Sequence, residues 1–318
     1  MGQNNRKVRN SFTIVMIVLT LILSYGIYYF GKNNLKLDKK YNSVINDLSI
    51  VNNKIKDNDN SSSIVLEKID YLNNIDNLIS EKQKNVYKLS GELEQKIRSG
   101  SSKYKIAYLT FDDGPYYNTF NVFNVLKKYD VKATFFTTNT NGNQCWDNKS
   151  YNCQDIYPYY IKYGHTLANH TFTHSLSNNA IYRSEDRFRS ELTQQADLIK
   201  SKTNGYTPNI MRFPGGSAQP RFWNLGSGNE AKLKKLTYSL GYGWVDWTAN
   251  DGDGNMLNSL SEGRNTFYPT INENIEVVLF HDYDKYTTQL LPEFIEYLQS
   301  KNYILLPLFY ESVMVTKS

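Results

Sequence analysis

The spacing of hydrophobic residues changes along this chain, and each change marks a different kind of element. Residues 11–31 hold no charged side chain and are rich in Ile, Val, Leu and Tyr. A helix rising about 1.5 Å per residue carries such a stretch across a bilayer core of about 30 Å. Arg6, Lys7 and Arg9 precede it, so the excess of cations puts residues 1–10 in the cytoplasm and everything after Lys32 outside. A cleaved signal peptide ending near Ser24-Tyr25-Gly26 is the rival reading. The apolar run is longer than a signal core and lacks a small-residue cleavage site, which favours an anchor.

From 32 to 102 the pattern becomes heptad-like. Steps of seven from Leu37 land on Val44, Val51, Asn58, Val65, Leu72, Ile79, Val86 and Leu93, apolar at every stop but Asn58. A second seam through Tyr41, Leu48, Ile55, Ile69 and Ile97 fades between 76 and 90, and Asp, Asn and Ser cluster at 56–63. The spacing predicts helices with a break near 56–63: a coiled-coil homodimer, or a helical stalk folded back on itself.

Beyond residue 103 short apolar runs alternate with helical periods. Strands are expected over 106–111, 133–137, 210–213, 243–245 and 276–280. Helices are expected over 122–129, 184–202, 230–240 and 291–299, the second with Phe188, Leu192, Ala196 and Ile199 on one face. This alternation predicts a parallel barrel with its working residues just after strand ends. At 318 residues the chain accommodates one such α/β domain plus appendages.

Charge narrows the partners. The formal net charge is +5, spread along the sequence, with no Arg/Lys stripe or recognition motif, so nucleic acid is not an expected partner. Cys145 and Cys153 sit in one segment rich in Asn, Gln and Tyr. Outside a membrane they are expected to pair as a disulfide, with two free thiols as the alternative. Among the 26 tyrosines, Tyr116 and Tyr117 and the group Tyr157, Tyr159 and Tyr160 could offer stacking faces to a ligand or serve as packing.

Candidate chemistry gathers at the ends of the apolar runs. Thr110-Phe111-Asp112-Asp113-Gly114-Pro115 closes one strand, and Asp-Gly-Pro forces a turn there. His170 and His174 are spaced so that both rings can reach one ion, and His281 ends another apolar run. His165, after Gly164, reads as structural. One carboxylate with two imidazoles leaves room on a metal for water and substrate, as in catalytic rather than structural sites. A second carboxylate could act as base and a third histidine as acid.

These residues resemble the polysaccharide deacetylases of carbohydrate esterase family 4, the NodB-homology domain. The five motifs of that family are matched in order by 110–115, His170 to His174, Arg212-Phe213-Pro214-Gly215-Gly216, a variant fourth at Asp246-Trp247 and 248–253, and Val277 to Asp282. The resemblance covers about residues 103–308 and implies an irregular (β/α) barrel with fewer than eight complete units. It implies Asp113, His170 and His174 as ligands of a divalent metal, zinc first, with cobalt or nickel as alternatives. By the same resemblance Asp112 is the general base, His281 the general acid, and Arg212 the cation that orients Asp112. The backbone N–H of Gly215 then helps to hold the oxyanion. In the fourth motif Asp246 is the first choice to tether Arg212, with Asp253 or Asn250 as alternatives. Trp247 lines the acetyl pocket or is a core residue.

The expected protein is therefore a single-pass membrane-anchored, metal-dependent deacetylase of an extracellular N-acetylated glycan. Peptidoglycan GlcNAc comes first, with poly-N-acetylglucosamine exopolysaccharide, chitin oligomers and acetylated xylan as alternatives. A silent glycan-binding module on a stalk is the alternative of another class. The division is 1–10 tail, 11–31 anchor, 32–102 stalk and 103–318 catalytic domain.

Overall fold

In a computed structural model, the structure describes residues 90–177, 180–222, 228–310 and 312. The expected tail, anchor and most of the stalk lie outside the described residues. Among the described residues, no helix is long and apolar enough to cross a membrane.

Eight strands are present among the described residues: β1 (Lys105–Asp112), β2 (Thr134–Thr137), β3 (Thr166–Asn169), β4 (Ile210–Met211), β5 (Gly243–Trp244), β6 (Ala249–Asn250), β7 (Ile275–His281) and β8 (Tyr303–Leu305). Every pairing is parallel, in the order β5-β4-β3-β2-β1-β7-β6, with β8 on the first half of β1. The sheet is a curled, open barrel whose edges are β5 and β6.

Period-two alternation builds its two faces. Ile106 and Tyr108 join Phe136, Ala168, Ile210, Val245 and Val277 in one buried cluster. The intervening Phe111 stacks on Phe135 with ring centroids 4.9 Å apart, and Phe135 packs edge-on against Phe123 of the helix Thr119–Lys128. Ile106, Tyr108, Thr110 and Asp112 thus share one face, and the polar members of that set come last, at the C-terminal end of β1.

Helices Thr119–Lys128, Tyr157–Lys162, Glu185–Lys202, Asn229–Ser239, Leu260–Thr270 and Lys285–Ser300 connect the strands, except between β5 and β6. The strand expected over 210–213 pairs only at Ile210–Met211. Arg212 N–H still donates to the Asn169 carbonyl at 3.0 Å, but Pro214 has no N–H to continue a ladder. The opposite end of the barrel is covered by helical residues 90–98, which pack Leu93 and Ile97 on the interior cluster.

Candidate active site

Asp112 ends β1, and its carboxylate meets the fully buried guanidinium of Arg212. Nη1 of Arg212 donates to Asp112 Oδ1 at 2.7 Å and to Thr110 Oγ1 at 2.9 Å. Nε and Nη2 donate to the carbonyls of Val245 and Asp246, each at 3.0 Å. The guanidinium carbon also lies 4.2 Å from the Phe136 ring centroid. All three guanidinium nitrogens and one flat face of the arginine are therefore fixed, and Asp112 is aimed by it. Burial pushes the Asp112 carboxyl pKa up, opposed by the charges of Arg212 and His281.

Asp113 turns away at a φ of 70° and meets the two histidines. Its Oδ1 lies 3.5 Å from His170 Nε2 and 3.3 Å from His174 Nε2. Ligand atoms of Asp113, His170 and His174 fall within 4.8 Å of one another. His170 Nδ1 faces the Arg212 carbonyl at 2.8 Å. A carbonyl can only accept, so Nδ1 carries the proton and Nε2 turns its lone pair to the cluster. Burial, then the neighbouring His174, lowers the His170 pKa to about 3, which keeps the ring neutral, as a ligand must be. Asp113 Oδ1 is buried without a hydrogen-bond donor. The donor set and this oxygen fit a divalent cation.

The stretch between the histidines is a strained loop. Thr171 and His174 adopt φ of 68° and 50°, a region that costs a non-glycine residue roughly 1–3 kcal/mol. The loop is held by Asn169 Oδ1, which accepts from Thr171 N–H at 2.9 Å. Glu191 holds it too, its carboxylate accepting from Thr173 N–H and Oγ1 at 2.7 and 2.9 Å. Glu191 was not singled out from sequence. Its signal is a carboxylate on the buried face of the helix Glu185–Lys202.

His281 ends β7 beside the Asp113–His170–His174 cluster, with Nε2 3.8 Å from Asp113 Oδ2. Its Nδ1 pairs with Asp253 Oδ1 at 2.7 Å, and its backbone N–H donates to Asp253 Oδ2 at 2.6 Å. Burial lowers the His281 pKa, but Asp253 and then Asp113 and Asp112 outweigh it, raising the pKa to about 10. His281 is thus held as an imidazolium.

The tie expected from the fourth motif runs through the backbone. Asp246 reaches Arg212 through its backbone carbonyl, while its carboxylate accepts from Ser217 N–H at 2.8 Å and Oγ at 2.6 Å. Asp112 already neutralises the guanidinium, so carbonyls complete its donors, and the Asp246 side chain instead braces the Gly215–Gly216 turn. Those glycines have φ of 75° and 94°. Asp253, the alternative tether, serves His281. Asn250 Oδ1 accepts from Gly252 N–H at 3.0 Å.

Around the site, half-buried Trp247 packs on the interior cluster, 5.8 Å from the Arg212 guanidinium carbon. Tyr116 is buried, with its ring edge-on to Tyr283 at 5.3 Å and to Trp146 at 5.6 Å. Cys145 and Cys153 form a disulfide. His165 lies away from the site, accepting from Ala133 N–H at 3.2 Å and stacking on Phe123.

A profile of the polysaccharide deacetylase family matches residues 99–233. The catalytic domain of a peptidoglycan N-acetylglucosamine deacetylase from Eubacterium rectale is 33% identical, with a TM-score of 0.60 over 68% of this chain and 93% of that one. The chain belongs to the polysaccharide deacetylase family. A carbohydrate esterase family 4 esterase of Streptococcus mutans superposes with a TM-score of 0.55 at 26% identity, over 69% of this chain and 91% of that one. A Bacillus cereus peptidoglycan-N-acetylglucosamine deacetylase is 27% identical over 236 residues, 70% of this chain and 78% of that protein. As a family 4 deacetylase the protein is a hydrolase, and the curled barrel with its strand-end residues is that family's fold.

Proposed function

We propose that this deacetylase removes acetyl groups from an extracellular N-acetylated glycan in a metal-dependent reaction, with GlcNAc of peptidoglycan as the first substrate. The observation that carries the reading is the arrangement around Asp113. Asp112, held by Arg212, and His281, held by Asp253, end neighbouring strands and both border the cluster, Asp112 Oδ2 3.5 Å from His170 Nε2 and His281 Nε2 3.8 Å from Asp113 Oδ2.

A divalent cation held by Asp113, His170 and His174, zinc first, would acidify a water and polarise the acetyl carbonyl. Asp112 takes the proton of the attacking water, and Arg212 keeps that carboxylate aimed. The backbone N–H of Gly215 donates to the oxygen that gains charge. His281 gives its proton to the nitrogen as the C–N bond breaks, so acetate and a free amine leave. The apolar run at 11–31 would anchor the domain outside the membrane, close to a cell wall.

The test is acetate release by the full-length protein from purified peptidoglycan and from GlcNAc oligomers, after chelation and after zinc is restored. Release that is lost on chelation and recovered with zinc supports the reading, and the better substrate ranks the glycans. Zinc binding without release from either substrate would overturn it in favour of a silent glycan-binding module.

A further inference from the structure

The segment between β2 and the helix Tyr157–Lys162 holds an exposed tryptophan on an anchored backbone. Trp146 is 49% exposed, while its neighbour Cys145 is fully buried and bonded to Cys153. On its other side the Asp147 carboxylate accepts from the backbone N–H groups of Tyr117 and Asn118, both at 2.9 Å. Cys145 N–H donates to the Tyr151 carbonyl at 3.1 Å, and Asn148 N–H to the Cys145 carbonyl at 3.2 Å. The backbone is thus tied down on both sides of a large ring that faces water. A single exposed apolar residue on a loose loop needs no explanation, but one on so constrained a backbone does.

The direction in which this ring lies matters. Trp146 meets Tyr116 edge-on at 5.6 Å, Tyr116 meets Tyr283 at 5.3 Å, and Tyr283 stacks on His281 at 5.0 Å with an interplanar angle of 27°. A continuous line of aromatic rings therefore runs from the proposed acid to Trp146. Two rings, Tyr116 and Tyr283, stand between Trp146 and His281 along this line. Trp146 is placed to meet a neighbouring sugar of the same chain. A pyranose has an apolar face of C–H groups that suits the negative face of an indole, and a ring already fixed in position loses little freedom on binding.

We propose that Trp146 is the stacking platform of a distal sugar subsite, presented by the Cys145–Cys153 loop, which makes the enzyme prefer glycan chains over short fragments. This rests on the glycan deacetylase reading above. The test compares wild type with Trp146→Ala and Trp146→Tyr on GlcNAc disaccharide and pentamer, by acetate release and by calorimetric binding of the pentamer. In Trp146→Ala the advantage of pentamer over disaccharide in kcat/KM is expected to shrink about tenfold, carried by KM, with Tyr restoring most of it. An unchanged advantage, or an equal loss on both lengths, would overturn the proposal. If wild type released no acetate, the deacetylase reading would fail by itself. Pentamer binding would still decide the subsite, which falls if wild type and Trp146→Ala bind alike.

Discussion

The mouth and the floor of this barrel treat their polar groups in opposite ways. At the floor, the Tyr108 hydroxyl finds Ser90 and Glu94, Thr166 Oγ1 donates to the Leu308 carbonyl at 2.7 Å, and Leu308 N–H donates to Thr134 Oγ1 at 2.8 Å. Leu93 and Ile97 then close the interior from below. At the mouth, Asp113, Thr171 and His174 sit at positive φ, and Asp113 Oδ1 has no donor. Asp112 is buried beside it. The floor is closed by hydrogen bonds within the polypeptide, whereas the mouth gathers carboxylates and histidines and leaves Asp113 Oδ1 without a donor. The two ends of one set of strands thus divide stability from chemistry.

Mutations should separate the two ends. At the mouth, His174→Ala is expected to remove bound metal and at least about 1000-fold of kcat, read by metal analysis and acetate release. At the floor, Ile97→Ala should lower unfolding free energy by about 2–4 kcal/mol in denaturant melts while kcat stays within about twofold. If Ile97→Ala instead lowered kcat with no loss of stability, the division would be wrong.

Asp253→Asn should act on pH dependence. The acid form of His281 persists because its pKa is raised to about 10, so the rate falls on the alkaline side as that proton is lost. Removing the Asp253 charge should move this limb to lower pH by about one unit or more. The same raised pKa contributes stability that is full below the unfolded value of about 6.5. That contribution is lost as pH rises through about 10. In the variant this alkaline loss of stability should shrink, and an unmoved limb would remove His281 from the role of acid.

Much of the mouth was legible because strand ends concentrate motif residues. The motifs at Asp112 and Asp113, His170 and His174, Arg212 and His281 meet in one site. What escaped were partners set by chain path. Asp251-Gly252-Asp253 reads as an ordinary turn, and only the run of β6 beside β7 brings Asp253 to His281. The tie between Asp246 and Arg212 passes through a carbonyl, which no side-chain pattern encodes. The helix Leu260–Thr270 was hidden by Gly263 and Pro269, although Ser259 and Glu262 form the Ser-x-x-Glu start signal and Ser259 Oγ accepts from Glu262 N–H at 3.2 Å. Strand β8 has three residues, too few to show a period.

The central claim is that Asp113 and its histidines hold a cation while Asp112, under Arg212, moves a proton. Zinc content and acetate release measured together on Asp112→Asn and wild type test it most directly. The account predicts zinc near the wild-type level with kcat reduced by about 10²–10⁴-fold. Retained zinc with near wild-type turnover would contradict it, because the base would then lie elsewhere.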